Sequence, residues 1–172
     1  HSINHIELRS QERGYLQNIY VDEGQLVKKG QVMFQIMPLL YQAELQKSQA
    51  EVDYAEIEYQ TTKNLADSNI VSKSELALSK AKLNKERADL ALAQAHLAFT
   101  EVRAPFDGIM DRFSKRVGSL VEEGELLTTL SDNSKMWVYF NVPEAEYLDY
   151  ATKAKSNSPL SVKLQMANGE LF

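Results

Sequence analysis

The sequence predicts an elongated, multi-domain α+β protein. A small β sandwich built from two half-motifs carries a long antiparallel α-helical hairpin in its middle, and the start of a further β domain follows. Three observations predict this. One glycine-punctuated stretch occurs twice, the segment between the copies carries helical heptads, and the end of the chain returns to strand-like alternation.

The repeat comes first, because internal similarity sets the architecture before any local element does. GYLQNIYVDEGQLVKKGQVMFQI (14–36) lies over GIMDRFSKRVGSLVEEGELLTTL (108–130) without a gap. Gly14, Gly24, Leu26, Val27 and Gly30 fall on Gly108, Gly118, Leu120, Val121 and Gly124. Each copy reads as a strand, a turn at its second glycine, a short strand and another turn, with glycine where positive φ is needed. The alternation through Leu16, Asn18 and Tyr20 is rough, so the glycines carry much of the strand assignment. A unit this short cannot bury a core alone, but two facing each other can form a sandwich. Its expected extent is 6–36 plus 105–130.

The insert, 37–104, contains one proline, Pro38, and no glycine. Leu76, Leu83, Leu90 and Leu97 recur every seven residues, as do Leu45, Val52, Tyr59 and Ala66. With Ala77, Ala81, Ala88, Ala91, Ala95 and Ala98 flanking the leucines, the pattern predicts two helices packed closely along a seam. Between them lies DSNIVSKSE (67–75), where Ser72 and Glu75 have the spacing of a capping box. Charge predicts the pairing. Glu51, Asp53, Glu56 and Glu58 form an acidic block, while Lys80, Lys82, Lys85 and Arg87 form a basic one. Folding the chain back near residue 69 brings the blocks level. The tip, about 65–73, is then the part that reaches farthest from the sandwich.

At the C-terminal end KMWVYFNV (135–142) and LSVKLQM (160–166) alternate as strands, and Pro143-Glu144-Ala145-Glu146 reads as a helix start. Strands need partners, so 131–172 is expected to be a partial β-barrel domain, and the chain part of a longer protein.

Composition narrows the function. The net charge of −5 provides no basic field for nucleic acid. There is no cysteine, hence no thiolate site or cysteine nucleophile. No apolar run is long enough to span a bilayer. His1-Ser2 reads as a vector remnant. His5 and His96 lack ligand spacing, and His96 is expected on a helix surface or in the seam. Asp107-Gly108 is a turn without the oxygen ligands of a calcium loop. Gly24 and Gly30 are not followed by the Gly-Lys-Ser/Thr of a phosphate loop. No catalysis, metal or cofactor is expected.

These same residues carry a resemblance. Segment 14–36 is similar to the first lipoyl half-motif of the periplasmic adaptor, or membrane fusion, proteins, and 97–130 resembles their returning helix and second half-motif. The most specific part is Thr100, Ala104, Pro105, Asp107 and Gly108. MWVYFNVPEAEYL resembles the opening of that family's β-barrel domain. The likeness is greatest to adaptors of resistance–nodulation–division (RND) efflux pumps. It implies a periplasmic protein tethered to the inner membrane. Such proteins assemble as hexamers and join an inner-membrane RND transporter to an outer-membrane channel for export of drugs or other small molecules. The family's hairpin tip carries an Arg-Leu-Ser pattern that meets the channel; Leu65 and Ser72 match its last two places, while Thr61 stands where the arginine would be. Lys63 lies nearby, but an ammonium does not reproduce a guanidinium fork. On this reading the sandwiches pack side by side, and Lys28-Lys29 and Glu122-Glu123 are candidates to meet between subunits.

Two alternatives stand beside it. An adaptor of an ABC-type exporter or type I secretion system shares the design. A lipoyl or biotinyl carrier would need its modified lysine at the junction of the half-motifs, where this chain has MPLLYQAELQ and no lysine before Lys47.

Overall fold

The computed structural model describes residues 2–136, 141–144 and 146–148. Strands β1 (Ser2–Arg9), β2 (Gly14–Ile19), β3 (Leu26–Val27) and β4 (Val32–Ile36) lead into helices α1 (Leu39–Asp67) and α2 (Lys73–Phe99). Strands β5 (Glu101–Arg103), β6 (Gly108–Met110), β7 (Leu120–Val121) and β8 (Leu126–Met136) follow. They form two four-stranded sheets, ordered β1-β8-β6-β3 and β5-β4-β2-β7.

The two half-motifs are interlocked rather than merely stacked. β3 of the first copy pairs with β6 of the second, Leu26 opposite Ile109 and Val27 opposite Gly108. β7 of the second pairs with β2 of the first, Tyr15 opposite Leu120 and Gly14 opposite Val121. Loop hydrogen bonds repeat at the same offset that relates Gly14 to Gly108. Gly24 N–H donates to Met110 O and Gly118 N–H to Leu16 O; Gly30 N–H donates to Ala104 O and Gly124 N–H to Ser10 O. All four glycines have positive φ, between 78° and 87°, where a Cβ would be strained. The duplicated letters therefore encode duplicated turns.

The core follows the same symmetry. Val27, Met33, Val121 and Leu127 are fully buried in equivalent places, joined by Leu16, Phe34, Met110 and Leu130. Phe34 meets Phe113 edge to face at a centroid distance of 5.4 Å. The Thr100–Gly108 motif now has a physical reading. Thr100 is buried at the end of α2, its hydroxyl donating to Leu97 O and accepting from Gln35 Nε2. Asp107 Oδ1 accepts the Lys29 N–H at 2.6 Å. A Cβ on Gly108 would lie 2.8 Å from the Ser131 carbonyl.

Three expectations are corrected. Glu101–Arg103 is a strand on β4, so the hairpin ends at Phe99 rather than 104. The sandwich also exceeds 6–36 plus 105–130: β1 starts at Ser2 and pairs with β8, which runs to Met136. Hydrogen bonding to β1 continues the strand past the end of the repeat. Third, Ala77, Ala81, Ala88, Ala91 and Ala98 are exposed and Ala95 half-buried. The seam uses Val52, Ala55, Leu83 and Ala93, with Ser48 and Ser79, backed by Tyr59 and Leu90. With leucines every seven residues at one seam position, the second position lies three residues later, and the flanking alanines turn outward.

The hairpin pairing is as the charges predict. Lys82 Nζ meets Glu58 at 2.6 Å and Arg87 meets Glu56 at 2.6 Å. Lys82 also lies over the Tyr54 ring.

Residues 138–172 form a separate unit. Within it Glu146 and Tyr147 N–H donate to Pro143 O, a helical turn where the proline and acids predicted one. The strand expected over 160–166 and most of that over 135–142 lie outside the described residues.

Candidate functional site

The hairpin tip is a tightly capped turn. At the end of α1, Ile70 N–H donates to Leu65 O at 2.8 Å and Asn69 N–H to Ala66 O at 2.9 Å, with Asn69 at φ 57°. That is a Schellman ending with asparagine in the left-handed position usually held by glycine. Two residues later Ser72 caps α2, its Oγ accepting the Glu75 N–H at 3.1 Å. Leu65 is therefore half-buried in the last turn of α1 and Ser72 exposed at the first of α2. Capping occupies an acceptor position of the Ser72 hydroxyl and leaves its O–H available to donate outward. Thr61 and Lys63 are both exposed on α1. Sequence reasoning passed over Ile70, 69 % exposed between these caps. Its signal was an aliphatic residue inside a polar loop.

The Lys28-Lys29 and Glu122-Glu123 turns occupy equivalent places in the two half-motifs. Their backbones are held alike: Lys28 N–H donates to Gln31 Oε1 and Glu122 N–H to Glu125 Oε2. All four side chains are exposed, and no ion pair joins the lysines to the glutamates within the described residues. Beside the acidic turn, Lys115 bonds Glu125 at 2.6 Å and, with the Glu122 N–H, lowers that carboxyl's pKa.

At the hairpin root, His96 is neither plain surface nor seam. Its Nδ1 lies 2.5 Å from Glu12 Oε1, in the β1–β2 loop. The bond to Glu12 raises the His96 pKa against partial desolvation, and the charges of Glu12, Glu44 and Glu123 add to it. Tyr41 on α1 donates to Arg13 O at 2.8 Å, and burial, with the Glu12 charge, raises its pKa. Both helices are thus fastened to one loop of the sandwich. SQERG gave no hint of this, because Glu12 gains meaning only once α2 returns to it.

Among the described residues, no three His, Cys, Asp or Glu side chains gather as a metal site, and no helix is long and apolar enough to cross a membrane. The arrangement offers contact surfaces: a projecting tip, two oppositely charged turns and a fastened root.

Comparison with known proteins agrees in kind. Residues 4–132 match the family model described as the RND MFP barrel-sandwich hybrid domain. The chain is 31% identical over 175 residues to the antibiotic efflux pump periplasmic linker protein ArpA of Pseudomonas putida, covering 96% of this chain and 47% of that protein. It is 32% identical over 191 residues to the efflux pump periplasmic linker BepD of Brucella suis, covering 97% and 48%. Among solved structures it resembles a MacA–MexA chimera containing the Pseudomonas aeruginosa MexA α-hairpin domain. There the TM-score is 0.71 and the identity 28%, over 76% of this chain and 49% of that one. The chain spans about half the length of the curated relatives it matches.

Proposed function

This chain belongs to the RND membrane fusion proteins, and from that premise we propose that it is part of a periplasmic adaptor of a tripartite efflux pump. The whole protein links an inner-membrane RND transporter to an outer-membrane channel and so supports export of drugs or other small molecules. It lies in the periplasm, tethered to the inner membrane. The observation that carries the reading is the interlocked sandwich from which one antiparallel hairpin projects between β4 and β5. In a carrier domain a short turn bearing the modified lysine would stand there; here 29- and 27-residue helices do.

The work is mechanical. Sandwiches pack side by side into a ring, a hexamer in the assembled pump, with the Lys28-Lys29 turn of one copy against the Glu122-Glu123 turn of the next. The hairpins then stand as staves, and Leu65 and Ser72, with Ile70, present the tip to the channel. Affinity purification of the full-length protein from crosslinked membranes tests the assignment. It should recover a proton-driven transporter and an outer-membrane channel; recovery of an ATPase in the transporter's place overturns it. Charge reversal at Glu122 and Glu123 should weaken assembly most at low ionic strength, where such contacts are least screened.

A further inference from the structure

The hairpin root rests on a socket that the sandwich builds from its own loops. Ser10 N–H donates to Glu125 O and Gly124 N–H to Ser10 O, while Arg9 Nη1 donates to Gly124 O at 2.8 Å. The β1–β2 loop and the β7–β8 turn are thereby locked into one unit, which presents Glu12 and Glu123. Glu12 is held in place, its side chain only 13 % exposed. Into this socket α2 inserts His96, whose Nδ1 lies 2.5 Å from Glu12 Oε1. Glu44 of α1 and Glu123 of the turn act on the same imidazole with their charges. Three carboxylates from three separate elements thus converge on one titratable ring from a fourth. The other neighbours do not titrate with it. Arg13 is exposed and permanently charged, and Tyr41 donates to its carbonyl. Burial raises the Tyr41 pKa and Glu12 adds to the effect, so the phenol keeps its proton wherever the imidazole titrates.

We propose that this socket is a proton-operated clasp: acid holds α2 against the sandwich, and loss of one proton releases α2 while Tyr41 keeps α1 attached as the pivot. Charge decides the sign. Protonated His96 offsets part of the converging negative charge, and its bond to Glu12 is then charge-assisted, roughly twice as strong as a neutral one. A neutral imidazole leaves Glu12, Glu44 and Glu123 facing one another with only Arg13 beside them. Because the folded His96 pKa is raised, the clasp is complete below the ordinary imidazole value and opens as the pH rises through the raised one. Room for the motion lies on the other side. Gln94, Leu97 and Ala98 form the face of α2 that the helical period turns away from His96. With Pro38, Gln42 and Leu45 they border an open cleft of about 350 Å³. A released α2 therefore has space to shift away from the socket. The clasp goes beyond the adaptor reading, because it is a property of the chain itself. In a connector it would let the surrounding acidity set how stiffly the tip is held.

The 172-residue chain has no cysteine, so paired spin labels report the motion directly. Gln17→Cys on the sandwich and Ala81→Cys on α2, both exposed positions, are labelled in the full-length protein. Distances between them are measured by double electron–electron resonance from about pH 5.5 to 8.5, the span in which a raised imidazole titrates. A narrow distribution is expected in acid, broadening with the midpoint that NMR gives for His96. Each unit by which that midpoint exceeds the ordinary value is about tenfold in the ratio of clasped to released roots. His96→Gln should give the broad distribution at every pH, and His96→Lys, which keeps a cation, the narrow one. Glu123→Gln should lower the midpoint without removing the transition. A distribution that ignores pH overturns the clasp. So does a narrow or pH-dependent one in His96→Gln, a broad or pH-dependent one in His96→Lys, or a midpoint indifferent to Glu123→Gln. The measurement needs neither transporter nor channel, so its failure leaves the adaptor reading in place, and failure to recover those partners leaves the clasp in place.

Discussion

The sandwich and the hairpin contain the same kinds of apolar residue and use them in opposite ways. In the sandwich two chain segments far apart in sequence interlock, so strands of both halves build one core, and among the described residues six apolar side chains and Thr128 are fully removed from solvent. In the hairpin each residue meets only its level on one partner helix. Its buried residues are few, Val52, Ala55, Leu83 and Ala93 with two serines, while seven of its large apolar side chains are exposed. A closed core is stabilised by its own burial; an open two-helix ribbon leaves surface for something else. The difference assigns tasks: the sandwich holds its shape, and the hairpin offers contacts.

That contrast can be broken most forcefully in the core. Phe34→Ala removes the ring that meets Phe113 and should cost about 3–5 kcal/mol, unfolding the strands cooperatively in urea. A loss confined to one sheet would show that the halves are less interlocked than their pairing implies. Leu83→Ala, at the centre of the seam, should cost about 2 kcal/mol, the low end for such truncations because an open ribbon can close around the gap. Hydrogen exchange should rise through 39–99 and stay unchanged in the strands.

Smaller effects sharpen the boundary between the regions. Ser72→Ala should cost about 1 kcal/mol by removing the cap on α2, with exchange rising only near the tip. At the root, protonated His96 favours the fastened state because its pKa is raised by Glu12. That contribution is complete below the ordinary imidazole pKa, provided Glu12 remains ionised, and is lost as the pH rises through the raised folded value. The NMR titration midpoint of His96 should fall toward the ordinary value in Glu12→Gln; an unchanged midpoint would mean that the pair does not form in solution. Least of all should the paired reversal Glu58→Lys with Lys82→Glu matter. Each single reversal should lower the hairpin midpoint and the double restore it, since exposed pairs set register more than stability.

The legible features were those written as repeats. Gly24, Gly30, Gly118 and Gly124 announced four left-handed turns, and the leucine heptads and segregated charges announced two antiparallel helices. Proximity was harder to read. Glu12 beside His96 and Tyr41 had no local pattern, and Ile70 stood out only once the Asn69 turn and the Ser72 cap left it exposed between them.

By itself, the sequence determined what depends on backbone conformation and period: positive-φ turns, helix length, a serine cap and the level at which opposite charges meet. Only the tertiary structure decided which alanines are inside. A heptad states that residues share a face, but which face is buried depends on where the partner lies, and Ala93 went in while Ala81 and Ala88 stayed out. It also decided that the half-motifs exchange strands, because hydrogen bonds between distant segments leave no mark in either one alone.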